Sequence, residues 1–196
     1  MRSFVNYLVN YLNDNNADAP VDTYILDNFR GQYKNLANLE TVKVYTTEEE
    51  VFNENVSKLY YSLEERYERK AESAIDDRFA LLILNSSEYY ENLTSQRDIL
   101  GMYSKIFTKY KNDKVFIVVL DCESTVGIIG VSEFIRFVRD ERCAMTFSDI
   151  SNQHVIELPT SIARKYQKKI TPGDAYLLVE SNFYKIRAVY DQNCLK

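Results

Sequence analysis

Tryptophan is absent from this chain of 196 residues, and histidine occurs once, proline three times, cysteine three times and glycine five times. Each scarcity removes a class of chemistry. A lone His154, in the polar stretch Asn152-Gln-His-Val, reads as a surface or capping residue rather than a base. Zinc sites draw on several histidines or paired cysteines. Cys122, Cys143 and Cys194 are scattered without a CxxC spacing, so reduced thiols in a cytosolic compartment are expected. Five glycines leave little from which to build a phosphate cradle, and neither GxxxxGK[ST] nor GxGxxG occurs. The GxSxG elbow of the hydrolases is missing too. Positive charge is in deficit: 24 Lys and Arg face 29 Asp and Glu, a net charge of −5, which argues against a surface for nucleic acid. No apolar run approaches the roughly 20 residues that span a bilayer. Asn6, Asn10, Asn13 and Asp14 interrupt the N-terminal segment, so no signal peptide is expected there. Without a Pro/Gly/Ser-rich tract to divide it, the chain reads as one domain over 1–196.

What the sequence does contain is periodic and apolar. Residues 79–84 (FALLIL) form a continuous apolar run too short for an independent helix. Such a run reads as a strand buried on both faces, as in a parallel sheet covered by helices. Residues 115–120 (VFIVVL) repeat the pattern, residues 21–26 (VDTYIL) give a third strand, and 42–45 (VKVY) a short fourth. Helical spacing of Phe4, Val5, Leu8, Val9 and Leu12 predicts a helix over about 2–14. Thr47-Glu-Glu-Glu50 has the capping-box pattern, Thr47 as N-cap, and opens a long helix to about Ala71 with Phe52, Val56, Leu59, Leu63 and Tyr67 on one face. Further helices are expected over about 95–111, from Gly130 to about Arg139, and over 159–166. A strand over 143–147, the turn Thr171-Pro-Gly-Asp174 and a hairpin of 175–179 with 184–189 around Glu180–Phe183 close the chain. Alternating strands and helices indicate an α/β domain with a mostly parallel sheet. Sixteen tyrosines either fill amphipathic positions or enrich a recognition surface.

Ligands of open α/β sheets sit beyond the carboxyl ends of the strands, and three polar residues fall there: Asp27, Asn85 and Asp121. The two acids could serve a metal or act as general bases, or could cap the loops that follow. In P-loop NTPases a strand like 79–84 is followed by an acid that holds magnesium. An amide at Asn85 can hydrogen-bond but can neither neutralise a metal ion nor take a proton.

In its order of elements the chain resembles an FtsK/SpoIIIE-type ATPase domain, and more narrowly the last such domain of the membrane-anchored coupling protein of the type VII secretion system of Gram-positive bacteria. The resemblance spans nearly the whole chain. The helix Arg2–Leu12 and Tyr24-Ile-Leu-Asp-Asn-Phe-Arg-Gly31 occupy the places of the helix after the P-loop and the strand ending in Leu-Asp. The Walker B place falls on Leu81-Leu-Ile-Leu-Asn85, and Thr171-Pro-Gly-Asp-Ala-Tyr-Leu-Leu-Val179 matches the family's turn before a hairpin. The family P-loop would precede the first helix, beside which this chain begins at Met1.

The resemblance implies a RecA-like P-loop NTPase fold in a degenerate domain, a fragment of a larger protein on the cytoplasmic face of the bacterial membrane. It implies a non-catalytic module that recognises secreted WXG100-class substrates or effectors, or regulates assembly. No cofactor is expected in this domain, with ATP and magnesium left to sibling domains. Asp27, Asn85 and Asp121 would be the remains of the nucleotide pocket. Ile128, Ile129, Val131, Phe134, Ile135 and Val138 could line a groove for an apolar helix or could pack against the sheet. Two enzymes remain as alternatives: an active ATPase whose Walker A segment lies upstream, with Asp27, Glu88 or a neighbouring subunit supplying the acid, or a group-transfer enzyme without a P-loop.

Overall fold

The computed structural model describes residues 1–18, 20–69, 78–122, 131–150, 155, 164, 170–171, 173–180 and 182–187. Helix α1 (Arg2–Asp14) leads into β1 (Val21–Leu26), a 3-10 turn at Lys34–Leu36 and β2 (Val42–Thr46). The long α2 (Glu49–Arg69) precedes β3 (Phe79–Leu84), a short α3 (Ser87–Asn92), α4 (Arg97–Thr108) and β4 (Val115–Val119). Helix α5 (Glu133–Asp140) is followed by β5 (Cys143–Thr146), β6 (Asp174–Val179) and β7 (Asn182–Arg187). Strands β1 to β4 form a wholly parallel sheet in the order β2-β1-β3-β4, and β5-β6-β7 form a separate antiparallel sheet. This is the mostly parallel α/β architecture read from the sequence.

Alternation along the strands assigns each residue to a face. Val21 and Ile25 of β1, with Leu81 and Ile83 of β3, pack with Val5 and Val9 of α1. Leu26, Ala80, Leu82 and Leu84 point the other way, into a larger core with Phe52, Val56 and Leu63 of α2 and Leu100, Tyr103 and Ile106 of α4. Leu82, Ile83 and Leu84 are wholly buried. Each such side chain contributes about 1.5–3 kcal/mol relative to exposure. Strand β3 is therefore the axis of the domain, as its unbroken apolar run indicates. The other apolar run differs: β4 is an edge strand among the described residues, and Phe116 is 55% exposed.

Several local expectations are corrected. Thr46, not Thr47, accepts the Glu48 N–H at the entry to α2, at 2.9 Å. The side chain one residue earlier can do so because β2 runs to Thr46. Tyr67 stands 44% exposed at the outer end of α2, while Tyr60 takes a buried place on that helix. Helix α3 was not predicted. Ser86 caps it by accepting the Tyr89 N–H, and it carries Tyr89 and Tyr90 into the core. The terminal hairpin turns between Val179 and Asn182, tighter than the expected loop, with Glu180 in the left-handed region at φ 56°. The expected turn at Thr171–Asp174 is present, closed by Asp174 N–H to Thr171 C=O at 2.9 Å. The helix expected over 159–166 lies outside the described residues, apart from Arg164.

Candidate functional site

At the carboxyl ends of the parallel strands the ladder continues one residue past β1 and β3, through Asp27 N–H to Thr46 C=O and Asn85 N–H to Leu26 C=O, each 2.8 Å. Adjacent parallel strands ending in register leave the Asp27 and Asn85 side chains beside each other. Asn85 Nδ2 donates to Asp27 Oδ1 at 2.9 Å, and both residues are buried.

The remaining capacity of the Asp27 carboxylate is taken by its own loop. Oδ1 also accepts from the Asn28 N–H at 2.9 Å, and Oδ2 accepts from the Tyr33 N–H at 2.7 Å and from the Tyr45 hydroxyl at 3.0 Å. Two donors on each oxygen account for the four lone-pair sites of a carboxylate. The second proton of the Asn85 amide reaches Gln32 Oε1 at 3.4 Å. Burial first, then the neighbouring Asp27, pushes the Tyr33 phenol up to about 12. Tyr45 is likewise pushed up to about 12, by burial and then by its hydrogen bond to Asp27.

These bonds fix the loop from 27 to 33. Asn28 Oδ1 accepts from the Arg30 N–H at 3.0 Å, and the Gly31 N–H closes on Asn28 C=O at 2.9 Å. Gly31 sits at φ 60°, where a Cβ would be strained and would approach Tyr45 Oη at 3.4 Å. The tip displays Phe29, 86% exposed, with the Arg30 guanidinium 5.4 Å from its ring centre.

Asp121, the third of these residues, is exposed, with a left-handed backbone at φ 56°, whereas Asp27 and Asn85 are buried. Sequence reasoning thus found the two residues that meet, but missed Gln32, which accepts from Asn85, and Tyr33 and Tyr45, which donate to Asp27; no local sequence pattern signals these partnerships.

P-loop NTPases, which the sequence resembles, hold magnesium at the carboxyl ends of such strands. Asp27 and Asn85, as arranged, do not fit a magnesium ion. One offers a neutral amide whose protons are aimed at Asp27 and Gln32, and the other a carboxylate already surrounded by four donors. Among the described residues no group of three or more His, Cys, Asp or Glu could hold a metal.

The residues expected to line a docking groove are placed differently. Phe134 and Ile135 of α5 are buried in the main core, where Phe134 stacks on Tyr90 with ring centres 5.6 Å apart and meets Tyr103 edge-on at 4.9 Å. Their apolar surface is spent inside, so an open groove cannot use them. Val131 and Val138 are partly buried against the same core. Ile128 and Ile129 lie outside the described residues.

No protein-family model matches this sequence, and no curated protein matches it. Solved structures do resemble it. ATPases 2 and 3 of EssC from Geobacillus thermodenitrificans align at a TM-score of 0.72 and 17% identity, over 95% of this chain and 34% of theirs. A structure of the cytoplasmic domain of EssC aligns at 0.66 and 16% identity, over 96% and 36%. ATPases 2 and 3 of EccC from Thermomonospora curvata, in complex with a signal sequence peptide, align at 0.64 and 12% identity, over 88% and 31%. The chain spans about a third of the length of each. Its fold is that of the ATPase domains of EssC and EccC.

Proposed function

We propose that this chain is an ATPase-like module of a type VII secretion motor that recognises secreted substrates, or regulates assembly, without turning over ATP. The observation that carries this reading is the Asn85–Asp27 pair. The place that would hold a magnesium-binding acid carries an amide, and that amide is bonded to the carboxylate of Asp27. What remains is a rigid scaffold whose loop at the strand ends has become a display. Four donors to Asp27 hold the 27–33 loop and leave Phe29 in solvent. A large aromatic held rigidly at a surface is the kind of side chain that anchors interfaces.

In this reading the module is one domain of a longer membrane-anchored protein at the cytoplasmic face, and sibling domains bind ATP and magnesium. The EccC structure bound to a signal sequence peptide gives the partner class precedent in that protein. For this chain the corresponding partners are proposed to be WXG100-class proteins, small helical hairpins with C-terminal export signals, and their effectors. Among the described residues no helix is long and apolar enough to cross a membrane, so anchoring would fall to other parts of the protein.

Calorimetric titration of the full chain tests this. Mg-ATP at millimolar concentration gives no saturable heat, whereas an export-signal peptide from a co-secreted hairpin protein does, and Phe29→Ala weakens it. Saturable nucleotide binding in the micromolar range, with hydrolysis, would overturn the reading in favour of an active ATPase.

A further inference from the structure

A second polar recess lies at the opposite end of the sheet from Asp27 and Asn85. There α2 crosses the amino-terminal ends of β1 and β3, leaving a cavity of about 250 Å³. Helix α2 presents Lys58, Ser62 and Arg66 to it. Their four-residue spacing puts them on one edge of the helix. Strand β1 contributes Asp22 and Tyr24, which alternation turns toward α2, and Arg78 enters from the residue before β3. Three cations and one carboxylate thus share a small space in a protein whose net charge is −5.

The carboxylate is already committed. Asp22 Oδ1 accepts from Arg78 Nε at 3.0 Å and Nη2 at 2.6 Å, and Lys43 Nζ approaches it at 3.7 Å. Arg78 is thereby fixed at the rim. Lys58 and Arg66 have no carboxylate partner among the described residues. Tyr24 lines the recess with both guanidinium groups. Burial and then Asp22 push its phenol up, while Arg66 and Arg78 draw it back. A recess of this volume matches roughly eight waters at about 30 Å³ each. That is room for a compact ion.

We infer that this recess binds a compact multivalent oxyanion of phosphate or carboxylate type, recognised by Arg66 and Lys58 beside the Asp22-held Arg78. The planar fork of an arginine matches two oxygens of either group, and a lysine adds a mobile point charge. The site is separate from the Asn85 end and independent of whether this chain binds nucleotide there.

Titration calorimetry of the full chain at low ionic strength, with pyrophosphate in one arm and citrate in the other, tests the inference. One-to-one saturation is expected, and the arm that saturates at lower concentration assigns phosphate or carboxylate chemistry. Loss of one charge-assisted contact weakens binding by about tenfold or more, the effect expected separately for Arg66→Gln and Lys58→Gln. Lys34→Gln, at the other end of the sheet, leaves binding unchanged. Asp22→Asn removes the competing carboxylate and tightens binding. Both α2 positions are on a solvated or half-solvated edge, so their urea midpoints stay at the wild-type value. Absence of saturation in both arms, wild-type affinity in Arg66→Gln and Lys58→Gln, or weaker binding in Asp22→Asn would each overturn the inference.

Discussion

Replacing Asn85 by aspartate would place a second carboxylate beside Asp27, and the structure sets the consequence. The substitution exchanges an N–H donor 2.9 Å from Asp27 Oδ1 for a second carboxylate oxygen in a buried site. Two charges 2.9 Å apart repel by about 6 kcal/mol at an effective dielectric constant of about 20. Holding one proton on the pair at pH 7, against an unfolded carboxyl that ionises near pH 4, costs at most about 4 kcal/mol. Protonation is the cheaper route, so the pair shares a proton, and its O–H donates in place of the lost N–H. After local relaxation the expected destabilisation is about 2–4 kcal/mol at neutral pH, a shift of about 1–2 M in the urea midpoint for a protein of this size. The sign with pH follows directly. The introduced carboxyl holds its proton more tightly folded than unfolded, so the deficit is small near pH 4 and grows as pH rises toward 7. Urea unfolding of Asn85→Asp and wild type at pH 4.5 and 7, followed by far-UV circular dichroism, measures it. Equal midpoints at pH 7 would show that position 85 can hold a charge beside Asp27, and the case for a disarmed site would fall.

Two further outcomes are expected. The Tyr90 hydroxyl donates across the ends of β3 and β4, 2.6 Å from Leu84 C=O and 2.9 Å from Leu120 C=O. Tyr90→Phe removes this donor from Leu120 C=O, while Leu84 C=O keeps the Leu120 N–H at 2.8 Å, and lowers stability by about 1–3 kcal/mol, read from urea unfolding. Tyr45 ionises near pH 12, above the ordinary value near 10, so its neutral form stabilises the fold below pH 10 and that contribution is lost between pH 10 and 12. In a rapid ultraviolet titration of the phenols, Tyr45→Phe removes one of the two transitions expected near pH 12 and leaves that of Tyr33.

The sequence by itself determined the scaffold. Six consecutive apolar residues in β3 can be satisfied only by covering both faces, and the structure buries Leu82, Ile83 and Leu84 completely between α1 and the α2–α4 layer. It also determined what stands at the ends of the strands, because a residue after an apolar run has little freedom in where it emerges. Asp27 and Asn85 were legible for that reason. Their partnership was not, since it depends on β1 and β3 being neighbours in register, and a local pattern does not encode which strands pair. The same holds for Asp121, equivalent in sequence terms but exposed where the pair is buried. Phe134 and Ile135 show the converse: helical spacing announces an apolar face but not what covers it, and Tyr90 and Tyr103 proved to be the cover. Nothing local in the sequence shows that Lys58, Ser62 and Arg66 share a recess, because the fold alone brings the amino ends of two strands beside them. Periodicity fixes faces because side-chain direction is a local property of the backbone. Sites come from convergence of distant segments, and only the tertiary structure decides that.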